Sequence, residues 1–326
     1  MTPETDVPQP VAAPVPQPVA APPPDLAARA ERHRGELRVH CYRMVGSYSD
    51  AEDLVQETMI RAWRKREQLT DPERLRAWLY RIATRVCLDF LGGPARSREV
   101  VTADSVIAEV RWLEPYPDSL LDGAIARETI ELAYLAAIQH LPPRQRAVLI
   151  LRDVLGFPAE ETATALEMSV AAVKSGLQRA RATLRTRLPE RRADWGPATE
   201  PNASERETLR AYVRASRDAD LSALTALLRA DARQTMPPAS LVYEGRAAIL
   251  DLWRPVLEGS ARWGEWRSVE ITVNRQPGAV NYVRAPRDEV FRAVNIDVLR
   301  IEDGLVAEIT TFGPEILPAL ELPLTI

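Results

Sequence analysis

At 326 residues and 36.4 kDa, with 46% hydrophobic and 27% charged residues, the chain has a globular composition and room for two or three domains, each able to bury a core. No apolar run is long enough to span a bilayer, and Glu4, Asp6 and the early prolines argue against a secretory signal; a cytoplasmic protein without membrane contact is expected. Cys41 and Cys87 stand far apart in helical patterns, which points to buried small hydrophobes rather than a metal site or a disulfide, and no cofactor is expected.

The net charge of −4 conceals a segregation. Residues 29–99 hold 15 basic against 11 acidic residues and 141–192 hold 10 against 5, while the segments around them are acidic. Two basic modules set between acidic ones suit a nucleic-acid binder with a solvating linker and a separate acidic domain.

Residues 1–25 contain VPQPVAAP twice, a composition with too little large apolar surface to fold, and are predicted to be a disordered, polyproline-like tail. Residues 26–93 read as a helical domain. In SDAEDLVQETMIRAWRKREQL, Ser49 and Asp50 are N-cap candidates, Asp53 takes the place of a capping-box acid, and Val55, Met59 and Ala62 share one face. DPERLRAWLYRIATRVCLDFLGG begins at Asp71-Pro72 and stops at Gly92-Gly93, with Leu75, Leu79, Ile82, Val86 and Phe90 on its apolar stripe and Arg74, Arg81 and Arg85 on another face. Trp63 and Trp78 lie near apolar stripes, which favours core packing over base stacking. The prolines of WLEPYPD and the lack of any period mark 94–124 as a linker.

Residues 125–190 form a second helical domain, in which Pro142-Pro143 separate two helices and Gly156 closes the next. FPAEETATALEM and SVAAVKSGLQRARATLRTRL, joined by a tight turn at Glu167-Met168-Ser169 and capped by Ser169, make a helix-turn-helix. Val173, Leu177, Ala180 and Leu184 fall on one face of the second helix. The opposite face carries Lys174, Ser175, Gln178, Arg179, Arg181 and Arg185, a set able to reach base edges and phosphates in a major groove.

Taken together, DAEDLVQETMIRAW (50–63), WLYRIATRVCLD (78–89), LPPRQRAVLILRDVLGF (141–157) and SVAAVKSGLQRARATL (169–184) resemble, in that order and spacing, the extracytoplasmic-function sigma factors of the sigma-70 class. The resemblance implies binding to core RNA polymerase, through the coiled coil of its largest subunit and its flap, and recognition and opening of promoter DNA. It assigns polymerase docking to Asp53, Gln56 and Glu57. Capture of the single-stranded −10 element falls to Gln68, Leu69, Arg74, Arg81 and Arg85, and reading of the −35 element to the outward face of the second helix. This chain departs from the family at Arg85, where many members carry Asn, and at Gly176, where a basic residue is common.

After a linker at 191–202, residues 203–320 are predicted to fold as an α+β cone: two helices, a strand, the helix of EGRAAILDLWRPVLEG, then an antiparallel sheet ending in a hairpin around Asp303-Gly304. With WLEPYPD upstream, this unit resembles the SnoaL-like, nuclear-transport-factor-2-like domain fused to certain sigma factors, which implies a regulatory role. Met236, Tyr243, Trp253, Trp263 and Trp266 are candidates to line a small-molecule pocket or to form ordinary core. No histidine follows His140, which leaves Asp218, Asp251 or Asp297 as the proton acceptors of an enzymatic alternative, in which the cone converts a small molecule and the helical part targets it to DNA. The Arg-, Pro-, Gly- and Ala-rich linker is expected to let the cone swing or rest against the basic helix-turn-helix. A repressor or activator working without polymerase is the remaining alternative.

Overall fold

The computed structural model describes residues 26–93, 110, 112–121, 130–188, 200–239, 241–259 and 262–326; the Pro/Ala-rich segment and much of both linkers lie outside the described residues. Helices α1 (Leu26–Glu31), α2 (Arg34–Val45), α3 (Tyr48–Arg64) and α4 (Leu75–Leu91) form the first unit. Every residue of α2 from Leu37 to Val45 is buried except Arg38, because other elements cover the helix on all sides. His40 is fully buried there beside Thr84 (2.9 Å), and burial pushes its imidazole down to about 3, so it stays neutral. Cys41 and Cys87 are free and buried.

The start of α3 differs from the sequence reading. Its cap is Ser47, whose Oγ accepts from the Asp50 backbone N–H at 3.2 Å, whereas the hydroxyl of Ser49 donates to the Glu114 carboxylate of the linker at 2.9 Å. Asp71 caps the single 3₁₀ turn Pro72–Arg74 through the Glu73 N–H (3.0 Å), and α4 follows directly.

The second unit comprises α5 (Leu132–Gln139), α6 (Pro143–Leu149), a π-helical turn at Ile150–Val154, α7 (Ala159–Leu166) and α8 (Val170–Arg187). Arg146 of α6 is 4% exposed and fastens this unit to the first. Its guanidinium donates to the carbonyls of Ile138 (2.9 Å), Gln139 (2.7 Å) and Leu141 (3.1 Å), to Gln139 Oε1 (2.6 Å) and to the carbonyl of Met44 at the end of α2. Buried donors and acceptors that all find partners are what such a cation needs.

The C-terminal unit contains α9 (Ala203–Arg217), α10 (Leu221–Leu227), β1 (Leu228–Thr235), β2 (Val242–Glu244), α11 (Arg246–Leu257), β3 (Glu265–Val273), β4 (Gln276–Arg284), β5 (Arg292–Glu302) and β6 (Leu305–Phe312). The sheet order is β2-β1-β6-β5-β4-β3. It is mixed rather than wholly antiparallel: α11 carries the chain from β2 to the far edge, and the β3–β6 meander returns to lay β6 parallel to β1. Asn202 and Glu205 form a reciprocal capping box on α9. The hairpin at Asp303-Gly304 forms as expected, with both residues at positive φ.

The two faces of this sheet have different neighbours. Ala279, Val283, Leu299 and Ile309 join Leu209, Tyr212 and Trp253 of the helices in one buried cluster, while Val280, Tyr282, Ile296, Val298 and Phe312 belong to the cluster that runs into the helical units. All residues of β4 except the last are consequently buried. No described helix is long and apolar enough to cross a membrane.

Candidate nucleic-acid interface

Helix α8 is built as the sequence suggests. Ser169 Oγ accepts from the Ala172 N–H (3.1 Å), the turn is made by Glu167 at φ 52°, and Val173, Gly176, Ala180 and Leu184 are buried. Gly176 faces α6, with Val148 in ordinary contact range of a Cβ (3.8 Å), so the missing basic side chain takes nothing from the outward surface. Lys174, Gln178, Arg179 and Arg185 are exposed. Two members of the expected reading set are engaged internally: Ser175 donates to the Ala172 carbonyl (3.1 Å), and Arg181 is held in a two-pronged pair by Asp153 of the π turn (2.7 and 2.8 Å).

Gln68, Leu69, Arg74, Arg81 and Arg85 are brought to one region around α4, but they share it with the helix-turn-helix. Gln68, Leu69, Arg74 and Arg81 line a cavity of about 450 Å³ whose other wall includes Glu160, Glu161 and Thr164 of α7. Gln68, Arg81 and Arg85 also line an adjoining cavity of about 610 Å³ closed by Thr164, Ala165 and Glu167. Arg85 and Glu167 are paired at 2.8 Å. Phe157, in the loop before α7, packs edge-on against Tyr80 of α4 (5.5 Å), and the Arg76 guanidinium lies over both rings at 4.9 and 5.7 Å.

Trp78 is buried and lines both cavities, in keeping with a packing role. Trp63 is not core. It is 53% exposed, with the Arg66 guanidinium 5.0 Å from its ring centroid, because its position on α3 continues the outward stripe of Asp53, Gln56 and Ile60 rather than that of Val55 and Ala62. Asp53 and Gln56 are exposed, and Glu57 is partly exposed and paired with Arg61 at 2.7 Å.

The candidate pocket residues of the C-terminal unit do not form one lining. Trp253 and Trp266 are buried in its core, Tyr243 packs against it, Trp263 is half exposed and stacks on Trp266 (6.0 Å, 13°), and Met236 lies outside that cluster. A polar ladder occupies the interior: Gln234 donates to Thr311 (2.9 Å), and Asp297 accepts from Thr311 (2.7 Å), Asn281 (2.7 Å) and Tyr212 (2.9 Å). Burial holds the Asp297 carboxyl above the usual range. Of the three carboxylates weighed, only Asp297 is interior, since Asp218 and Asp251 are exposed.

The contact that sequence reasoning missed is the β3–β4 turn. Asn274 and Arg275 both have positive φ (54° and 59°), and Asn274 is fully buried between units. Its backbone N–H donates to the Tyr116 carbonyl (3.0 Å), its Oδ1 accepts from the Tyr116 N–H (2.7 Å), and its Nδ2 donates to the Ile130 carbonyl (2.7 Å) and to Tyr42 Oη (2.9 Å). Beside it, the Arg275 N–H donates to the Asp118 carboxylate (2.9 and 3.1 Å) and Gln276 Oε1 accepts from the Leu132 N–H (3.0 Å). The cone is thereby docked on the linker, α2 and the start of α5, which replaces the expectation of a swinging domain resting on the basic helix-turn-helix. An Asn between two strands is a readable turn signal; nothing local announces a partner 232 residues away.

A four-helix unit with an outward acidic and apolar stripe, a helix-turn-helix with a cationic face, and a cone joined to both define a promoter-reading protein of the sigma-70 type. Comparison agrees: the Sigma-70 region 2 family matches residues 30–96, the Sigma-70 region 4 family residues 131–184, and the SnoaL-like domain family residues 209–309. The ECF RNA polymerase sigma factor SigG of Mycobacterium tuberculosis is 38% identical over 320 residues, covering 92% of this chain and 84% of the relative. The ECF sigma factor SigJ of the same organism is 30% identical over 207 residues, covering 62% of this chain and 61% of the relative. The crystal structure of a Mycobacterium tuberculosis SigJ aligns with a TM-score of 0.62 at 22% identity, covering 91% of this chain and 99% of that one, which shows the shared fold. The chain belongs to the ECF RNA polymerase sigma factors and carries a SnoaL-like domain on its C-terminal side.

Proposed function

We propose that the outward stripe of α3, formed by Asp53, Gln56 and Glu57 and extended by Ile60 and Trp63, docks on the coiled coil of the largest polymerase subunit, with α5–α8 reaching the flap. Gln68, Leu69, Arg74, Arg81 and Arg85 capture the −10 element as single strand. Lys174, Gln178 and Arg179 read the −35 element, with Ser175 beside them, and Arg185 and Arg181 hold phosphates, Arg181 after release from Asp153. The observation that carries the reading is the two-sidedness of α8, where four apolar or small positions are buried and the cations face out. The protein acts in the cytoplasm, where its polymerase and promoters are. Polymerase performs the chemistry, and the sigma chain is not an enzyme.

The SnoaL-like domain regulates this activity through the Asn274 turn, which holds the linker between the two DNA-reading units. Each oxygen of Asp297 is occupied by protein donors, which supports a structural interior over proton transfer. In vitro transcription with core polymerase and genomic fragments tests the whole: promoter-specific transcripts that depend on Arg179 are expected, and their absence with stable polymerase binding would leave the DNA assignments without support.

A further inference from the structure

Helix α9 carries a second cationic surface, on a domain whose charge is otherwise acidic: residues 203–326 hold 18 acidic against 15 basic residues. At about 100° per residue, Arg206, Arg210, Arg214 and Arg217 fall within an arc of roughly 80°. All four are exposed. The opposite face, with Leu209, Tyr212 and Ala215, is buried in the core of the domain. The two acidic residues of the helix leave the stripe intact, since Glu205 closes the capping box with Asn202 and Glu207 lies at the margin of the arc.

Pairing adds a second argument. Arg229, Arg233, Arg254, Arg284, Arg292 and Arg300 of the same domain each close on a carboxylate. On α9 only Arg217 does so, with Asp218 at 2.8 Å, and Arg206 donates to the Pro201 carbonyl. Arg206, Arg210 and Arg214 form no ion pair among the described residues. They are like charges at i,i+4 spacing, an arrangement that destabilises a helix. A polyanionic partner offsets that repulsion.

The helix also starts at the junction between units. Thr208 Oγ1 donates to the Gly304 carbonyl (3.0 Å), and Glu200, just before α9, pairs with Arg275 (3.7 Å), the neighbour of the docked Asn274. The cone is thus carried on the segment that joins the two DNA-reading units, and duplex held at both elements passes that segment. The stripe is about 16 Å long at 1.5 Å per residue, the length of roughly five base pairs at 3.4 Å each. From these observations, and resting on the assignment of the −10 and −35 elements above, we propose that α9 binds the phosphate backbone of the promoter duplex between the two elements. Arg206, Arg210 and Arg214 meet phosphates directly, and Arg217 does so after release from Asp218. The SnoaL-like domain thereby adds affinity that is independent of base sequence to a promoter selected by the other two units.

The test uses holoenzyme assembled from core polymerase and the full chain, with a duplex promoter fragment that it transcribes as the probe. Arg210→Ala with Arg214→Ala removes two cations at exposed positions; Ala favours helix and the like-charge repulsion is relieved, so the melting temperature is expected not to fall. Arg210→Lys with Arg214→Lys keeps the charge and serves as the rescue. The Ala pair is expected to bind the fragment on the order of tenfold more weakly at 0.1 M salt, with a slope of log affinity against log salt shallower by about 2, while the Lys pair retains the slope. The loss should be the same when the base sequence between the elements is exchanged at constant length, and hydroxyl-radical protection should weaken in that stretch alone. An unchanged slope makes the stripe a solvated face, weaker binding to core polymerase without DNA makes it a protein interface, and a loss that varies with the exchanged sequence makes it a base reader; each overturns the proposal. Arg179→Ala separates the two layers. If it leaves preference at the −35 element unchanged, the −35 reading falls, while slope and protection with the α9 variants still decide the backbone contact.

Discussion

The Nδ2 of Asn274, at the tip of a hairpin in the C-terminal domain, donates to the phenolic oxygen of Tyr42 in α2 at 2.9 Å, and the Tyr42 hydroxyl in turn donates to the Glu114 carbonyl of the linker at 2.7 Å. One short relay thus ties the C-terminal domain to the first domain and to the segment between the two DNA-reading units. Both side chains are fully buried, so no water replaces a lost partner cheaply.

Asn274→Ala should leave the Tyr116 N–H and the Ile130 carbonyl without their side-chain partners and place a Cβ-bearing residue with no local hydrogen bond at positive φ. A loss of about 2–4 kcal/mol is expected from unmade buried bonds. Asn274→Asp should cost at least as much, since it turns an acceptor toward the Ile130 carbonyl. Chemical denaturation measures both, and protease sensitivity near residues 112–121 should rise in parallel.

Asp118 gives the junction a pH dependence. Burial raises its carboxyl to about 6, against the N–H and charge of Arg275, which lower it, and with Glu200 raising it slightly. The docked form therefore binds the proton more tightly than the free form. The contribution is fully present below about 4, where the undocked carboxyl also titrates, and is lost as pH rises to about 6, with an effect on the order of 2–3 kcal/mol. Stability profiles should show this slope between pH 4 and 6, and Asp118→Asn should flatten it.

On α3, reversing charge at Asp53 and Glu57 should weaken association with core polymerase, because like-charge contacts at an interface cost several kcal/mol. Trp63→Ala should weaken it as well while leaving thermal stability nearly unchanged, since the ring is half exposed. Surface-immobilised polymerase and a melting curve answer both questions. Wild-type affinity in the double Lys variant would mean that docking uses another face.

The α8 cations should separate by role. Arg179→Ala should relax preference at one promoter position, with a loss of about 1–3 kcal/mol, whereas Arg185→Ala should weaken all sequences alike and lower the salt slope. Binding across single-base variants at two salt concentrations distinguishes them; identical profiles would refute the division.

The elements were largely legible because their signals are local. Asp71-Pro72, Ser169 and Gly92 mark helix ends by backbone chemistry alone, and the inward stripes of α4 and α8 follow from helical period. The errors, with one exception, have a common physical cause. Trp63 stands apart, because helical period already places it on the outward stripe of Asp53, Gln56 and Ile60; Ser49 reads as a cap until Glu114 takes its hydroxyl, and Asn274 reads as a turn residue until another domain fills its amide. These two depend on what arrives from a distant part of the chain, and hydrophobic periodicity carries no record of that. The mixed sheet belongs with them, since the β1–β6 pairing is set by how a crossover returns and not by either strand's composition.

Because β4 is covered on both sides and the Asn274 turn fills a socket formed by Tyr42, Tyr116 and Ile130, the SnoaL-like domain cannot be removed as a neutral appendage. Cutting the chain after the helix-turn-helix would strip a lid from the buried aromatic surface of Tyr42 and Tyr116 and from the start of α5. The shortened protein would present that apolar surface to every partner in the assay. A change in its transcriptional output would then mix lost regulation with self-association, whereas a single substitution at the turn leaves the domain in place and reports on coupling alone.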